Sequence, residues 1–251
     1  MKLTIKNLSK KYGDFYALDN MNAEFIEGIY GLLGPNGAGK TTFMNLLTDN
    51  LQRTSGEILF DGKDILELGK KFRAMIGYMP QVQGFYEQFS PMEFLKYIGK
   101  LKGLNNTVLN SQIKELLTKV NLYEHRHEPM GSFSGGMCQR VLLAQAFLGS
   151  PKIIIMDEPT SGLDPEERIN LRNIIADNSK DKIIFIATHI VSDIECIAEK
   201  VLLLRKGQLV KMETPQELIT GICKEIDNIN KNDELSLEDV YMFYLGKNSQ
   251  Y

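Results

Sequence analysis

Ile29-Tyr30-Gly31-Leu32-Leu33-Gly34-Pro35-Asn36-Gly37-Ala38-Gly39-Lys40-Thr41-Thr42 runs from an apolar stretch through a glycine-rich loop into helix-compatible residues ending at Leu47. Gly34 to Thr41 fits GxxxxGK[ST], and its flanks read as a strand before and a helix after, the context that makes the pattern a phosphate loop. Glycines let the backbone wrap so closely that its N–H groups point inward at phosphate oxygens. The helix that follows offers the positive end of its dipole to the same anion. Lys40 adds a point charge and Thr41 a hydroxyl suited to Mg²⁺.

Outward from the loop, Ile153 to Met156, Ile183 to Ala187 and Val201 to Leu204 are short, β-branched or leucine-rich runs. Strands buried on both faces of a parallel sheet read that way, and the helical stretches between them imply an α/β sheet. Leu3, Ile5 and Leu8 alternate loosely, and Glu57 to Phe60 leads into the turn Asp61-Gly62, predicting a small antiparallel layer at the N-terminus. Between Val82 and Leu148 the strand pattern gives way to helices. Ser90-Pro91-Met92-Glu93 is a capping box with proline at the first helical position, and Phe94, Leu95, Ile98 and Leu101 predict one apolar face behind it. Thr214-Pro215-Gln216-Glu217 caps a later helix, a polar stretch runs from Lys224 to Glu234, and a last short helix is expected around Ser236 to Leu245.

Ile153 to Met156 runs directly into Asp157 and Glu158. Adjacent strand residues point in different directions, so two carboxylates there are expected to serve different ends. Asp157 suits Mg²⁺, directly or through water, and Glu158 suits an attacking water. Ser134 is a natural N-cap for the helical stretch Cys138 to Leu148, and Gly135 and Gly136 leave that helix's free N–H groups uncovered.

The 251 residues are enough for one large domain with a substantial core. A hydrophobic share of 43% and a charged share of 24% are those of a globular protein. A net charge of -3 offers no general attraction to nucleic acid, and no nucleic-acid partner is expected. Cys138, Cys196 and Cys223 form no CxxC pair and read as reduced thiols. No signal peptide is expected at Met1 to Lys6, and no run approaches the ~18 apolar residues of a transmembrane helix.

The phosphate loop, the Ser134-Gly135-Gly136 stretch and the acidic strand end, in that order, resemble the ATP-binding-cassette (ABC) ATPase family. The other family elements have counterparts in sequence. Tyr12 is similar to the aromatic residue that stacks on adenine. Gln81, in Gly77-Tyr78-Met79-Pro80-Gln81, resembles the Q-loop glutamine, which the family places at Mg²⁺ and in catalysis. Ser161-Gly162-Leu163-Asp164 resembles the D-loop, and His189 the switch histidine. The match runs from about residue 2 to 215. Met137 stands where the family's signature usually has glutamine, and Cys138 where a basic residue is frequent.

The resemblance implies a P-loop core with a mostly parallel sheet flanked by helices, an N-terminal antiparallel layer and an inserted helical subdomain. It implies an ATPase domain over 1–220, with helices inserted at about 83–148, and a short extension over 221–251. It further implies ATP and Mg²⁺ as cofactors. ATP would be bound by Tyr12, Gly34, Pro35, Asn36, Gly37, Ala38, Gly39, Lys40, Thr41 and Thr42 of one copy, with Ser134, Gly135 and Gly136 of another. Catalysis would fall to Glu158, His189, Lys40 and Gln81, and Mg²⁺ to Thr41, Gln81 and Asp157. The partners implied are a second copy or a homologous ATPase subunit, and an integral-membrane permease. The location implied is cytoplasmic, against the inner face of the cell membrane. Ser236 to Leu245, the run Thr188 to Glu195 and the compact length resemble the ATPases of bacterial ABC-2-type exporters.

Three other readings compete. Asn230-Lys231-Asn232-Asp233 spells the guanine-reading NKxD of GTPases, but it lies in a polar run with no apolar lead-in. DNA-repair and translation relatives carry long coiled-coil insertions or tandem cassettes, whereas about 50 residues separate Gln81 from Ser134 here and one cassette is visible. A nucleotide-sensing module without turnover would not need Glu158 and His189. Phe85, Tyr86 and Phe89 cluster beside Gln81 as candidate anchors for the membrane subunit, the alternative being packing within the helical subdomain.

Overall fold

Alternation is broken and then reset in the first strand. The computed structural model describes residues 1–81, 86–225 and 235–246. Leu3 and Ile5 of β1 (Leu3–Tyr12) point inward, Asn7 adopts φ 48 as a bulge, and Leu8 faces inward again. Such a bulge twists a strand without losing its buried face. β1 pairs antiparallel with β2 (Phe15–Phe25); α1 (Lys40–Leu47) follows β3 (Gly28–Leu33), and β4 (Ser55–Phe60), β5 (Lys63–Asp64) and α2 (Ile65–Leu68) come next. Their antiparallel sheet has the order β2-β1-β4-β5, the layer expected from the sequence.

Then come α3 (Lys70–Ala74), β6 (Ile76–Met79), α4 (Pro91–Leu101), α5 (Asn106–Lys119), α6 (Gly135–Phe147), β7 (Ile153–Asp157) and α7 (Pro165–Asp177). The chain continues through β8 (Ile183–Ala187), α8 (Val191–Glu195), β9 (Lys200–Arg205), β10 (Gln208–Glu213), α9 (Pro215–Glu225) and α10 (Leu237–Leu245). Two compact units result: residues 1–68 with 185–251, and residues 69–184.

In the first unit β3 lies parallel to β9, with Tyr30 opposite Lys200, and β10 pairs antiparallel with β9. The six residues of β3 are all buried. Phe25 packs edge-on against Tyr30 and Phe185 at 4.9 and 4.8 Å between centroids, and Phe43 of α1 meets Phe185 at 5.8 Å. These edge-to-face contacts anchor α1 on its sheet. Thr214 and Glu217 form the expected capping box at α9, and Ser236 caps α10.

In the second unit β6 and β7 are parallel, Met79 opposite Met156. All five residues of β7 are buried, and its four apolar side chains are worth roughly 1.5–3 kcal/mol each relative to exposure. Ser90 and Glu93 make the predicted capping box reciprocally at 2.9 and 3.3 Å. Phe94 and Leu95 are buried, but Leu101 is 68% exposed, so the apolar face of α4 ends a turn earlier than its spacing predicts. Gly99 explains the closeness of α4 to α5, because a Cβ there would lie within contact distance of the Leu109 side chain.

Candidate nucleotide site

The first unit carries the phosphate loop between β3 and α1. Gly39, the residue before α1, has φ 109, and a Cβ there would meet the Ala17 carbonyl oxygen at 2.6 Å, so only glycine fits. The loop is tied by Ala38 N–H to Pro35 O at 3.1 Å, and Gly207 N–H donates to Ala38 O at 3.0 Å. Lys40 folds back over it, its Nζ donating to Gly34 O at 2.5 Å and Pro35 O at 3.3 Å. Asn36, Gly37 and Thr41 are exposed, Pro35 and Thr42 partly so. No acidic residue occupies the first turn of α1, so the helix's own first turn leaves its positive end to an anion.

Tyr12 ends β1 with 51% of its surface exposed, and the Lys10 ammonium lies 4.9 Å from its ring centroid. That geometry keeps the ring polarised beside a cation while leaving much of it open. After β8, Thr188 is buried and its hydroxyl accepts from Ile190 N–H at 3.0 Å, while His189 is exposed.

In the second unit the parallel pairing of β6 and β7 brings Gln81, two residues beyond Met79, to the strand end next to Asp157. Gln81 is exposed and Asp157 buried. Burial, with the nearby Asp157 charge, pushes the Tyr78 phenol above its usual range. Glu158 is buried with φ 51. β7 stops at Asp157 and the backbone turns left-handed at Glu158, so strand alternation does not extend to the second carboxylate. A non-glycine residue held there costs of order 1–3 kcal/mol, and such strain concentrates at functional positions. Ser161 N–H donates to Glu158 O at 3.2 Å, and Asp164 caps α7 by accepting from Glu167 N–H at 2.9 Å.

Ser134 caps α6, accepting from Met137 N–H at 3.2 Å, and both Ser134 and Gly135 are exposed. Gly136 is buried, and a Cβ on it would lie 2.9 Å from Cδ of Glu167. The sequence reading missed Glu167; the Asp164-x-x-Glu167 spacing of a helix start was the available signal. His125 is half-buried against Glu128 at 3.1 Å, and His127 is exposed. Phe85 and the NKxD stretch lie outside the described residues.

Thr41 in the first unit, and Asp157 and Gln81 in the second, each offer an oxygen donor of the kind a hard cation takes. Among the described residues no three His, Cys, Asp or Glu side chains form a metal cluster. Mg²⁺ takes oxygen donors of this kind, one or two from protein together with phosphate oxygens and water.

A family model described as "ABC transporter" matches residues 18–161. The chain belongs to the ABC transporter family. It is an ATP-binding subunit of that family, whose members hydrolyse ATP to power transport. An uncharacterized ABC transporter ATP-binding protein, YxlF of Bacillus subtilis (strain 168), is 38% identical over 86% of this chain and 72% of its own length. ABC transporter A family member 6 of Arabidopsis thaliana is 37% identical over 75% of this chain, which spans only 21% of that larger protein. A solved ATP-binding subunit of an ABC transporter superposes with a TM-score of 0.81, at 24% identity, over 96% of this chain and 98% of its own. CbiO1 of Clostridium perfringens, described as part of the ABC transporter complex cbiONQ, gives 0.79 at 25% identity over 90% and 94%. Their shared architecture is the α/β fold with two sheets seen here. Among the described residues no helix is long and apolar enough to cross a membrane.

Proposed function

We propose that Glu158 is the residue on which turnover depends, orienting the water that attacks the terminal phosphate of ATP. The observation that carries this is its left-handed backbone at the end of a fully buried strand, directly after Asp157. Gly34 to Thr42 cradle the phosphates, Lys40 exchanges its loop carbonyls for phosphate oxygens, and Tyr12 stacks on adenine. Thr41, Asp157 and Gln81 are the residues that would hold Mg²⁺, which would supply charge neutralisation on the phosphates. His189 and Gln81 would act on the transferred phosphoryl group. Pre-positioned donors of this kind act where charge develops in the transition state.

Ser134, Gly135 and Gly136 complete the nucleotide site of a second copy or of a homologous subunit. Gly135 is exposed, and among the described residues nothing lies within 4 Å of a Cβ built on it, so a partner could approach its backbone closely. A chain holding both halves of a site builds two complete sites in a head-to-tail pair. Residues 1–220 form the ATPase domain, with 83–148 inserted and 221–251 as an extension. Coupling is to an integral-membrane permease at the inner face of the cell membrane, in the export direction. Support comes from a neighbour that is part of a transporter complex, and from the aromatic group of exposed Tyr86 and Tyr97 with partly buried Phe89, centroids 5.0 to 6.3 Å apart.

Glu158→Gln is expected to bind ATP, to remain dimeric with it and to lose about 10²- to 10⁴-fold in turnover, the size of a general-base contribution. Wild-type turnover in this variant refutes the assignment.

A further inference from the structure

The two glycines after Ser134 are small for different reasons. Gly135 is exposed with open space beside it, whereas Gly136 is buried against Glu167, whose Cδ, Cγ and Oε2 would lie 2.9, 3.0 and 3.1 Å from an added Cβ. Real Cβ atoms do not approach so closely, so a methyl at 136 must displace this side chain or the helix tip.

Glu167 cannot move freely. Its backbone N–H is held by Asp164 at 2.9 Å, and its Oε1 accepts from Arg140 Nη2 at 3.3 Å. Arg140 lies one turn along α6 from Gly136 and also donates through Nη1 to Val120 O at 3.2 Å. The two side chains are 15% and 26% exposed, and Arg140 Nε and Glu167 Oε2 are buried with no hydrogen-bond partner among the described residues. A single carboxylate thus touches the first turn of α6, grips its second, and belongs to the helix that follows Ser161 to Asp164. A negative charge beside that tip would weaken its pull on phosphate, and Arg140 neutralises it.

We propose that Glu167 is a positioning residue for ATP hydrolysis, setting the Ser134-Gly135 tip through its contact with Gly136 and its ion pair with Arg140. It makes the tip of α6 and the loop before α7 move as one piece. The proposal rests on reading Ser134 to Gly136 as the tip that meets a partner's nucleotide.

The test is a cycle of Gly136→Ala, Glu167→Ala and the double variant in the full chain, with Glu167→Gln alongside. Gly136→Ala is expected to lower kcat about tenfold with KM for ATP little changed, a size usual for side chains in direct contact. Adding Glu167→Ala makes room for the methyl and returns kcat to that of Glu167→Ala alone. Glu167→Gln keeps the volume but loses the ion pair, so its kcat is expected between those of wild type and Glu167→Ala. A double variant as slow as Gly136→Ala, at an unchanged unfolding midpoint, overturns the proposal. Should Gly136→Ala fail to fold, rescue of folding and turnover by the second substitution supports it, and failure of that rescue overturns it. ADP binding to the phosphate loop is measured in parallel. Its loss in Gly136→Ala would count against the reading of the tip, and the kcat cycle still decides the role of Glu167.

Discussion

Lys102 offers a measurable link between burial and pH. It follows α4, and its Nζ donates to Leu148 O, the carbonyl just past α6, at 2.8 Å. A cation is favourable at a helix C-terminus, but burial outweighs this and lowers the ammonium from 10.5 to about 8. That gap corresponds to about 3 kcal/mol, an upper figure because water still reaches part of the side chain. Below pH 8 the lysine is charged in both states, and the folded state bears the whole cost. Between about 8 and 10.5 the unfolded chain binds more protons, so stability rises with pH, and above 10.5 the cost is gone. Lys102→Met removes both this cost and a charged hydrogen bond worth about 1.5–3 kcal/mol, so the two variants should be nearly equally stable near neutrality. Denaturant unfolding of both proteins, stepped from about pH 7 to 10.5, should show wild type gaining up to about 3 kcal/mol on the variant. A difference that stays flat across this window refutes the reasoning.

Ser134→Ala removes the cap of α6 and should lower stability by about 1 kcal/mol, read from the unfolding midpoint, with a larger loss of turnover under the proposal that the hydroxyl also serves nucleotide. Equal stability and equal turnover would show that the hydroxyl does neither. Asp64→Ala leaves Arg53, paired at 2.6 Å with both side chains 17% exposed, without its carboxylate and frees Leu66 N–H; a loss of about 3 kcal/mol is expected in denaturant. Tyr86→Ala with Phe89→Ala should leave basal ATP hydrolysis intact and abolish co-purification with the membrane subunit; undiminished co-purification removes these rings from the coupling surface.

Local chemistry made much of this fold readable. The Gly34 to Thr41 octet, the Ser90 and Thr214 caps and the runs of β3, β7, β8 and β9 each carry their own instruction within a few residues, and each appears where its pattern placed it. What escaped depends on partners distant in the chain or on backbone angles that no composition announces. Leu101 fits the apolar period of α4 yet faces outward, because no neighbour covers the last turn. The left-handed turn at Glu158 has no glycine or asparagine to signal it, since a carboxylate occupies a position that backbone sterics disfavour. Arg140 and Glu167 stand 27 positions apart, and only packing of α6 against α7 joins them.

The pairing of Tyr30 with Lys200 has a consequence for biogenesis. The loop that should grip ATP leans on Gly207, which donates to Ala38 and, through its carbonyl, accepts from Asp19. During synthesis at 5–20 residues per second, the 170 positions between Tyr30 and Lys200 take about ten to thirty seconds to emerge. For that interval the nascent loop lacks its supporting strand, so a chain truncated before β9 should neither capture nucleotide nor consume it wastefully on the ribosome.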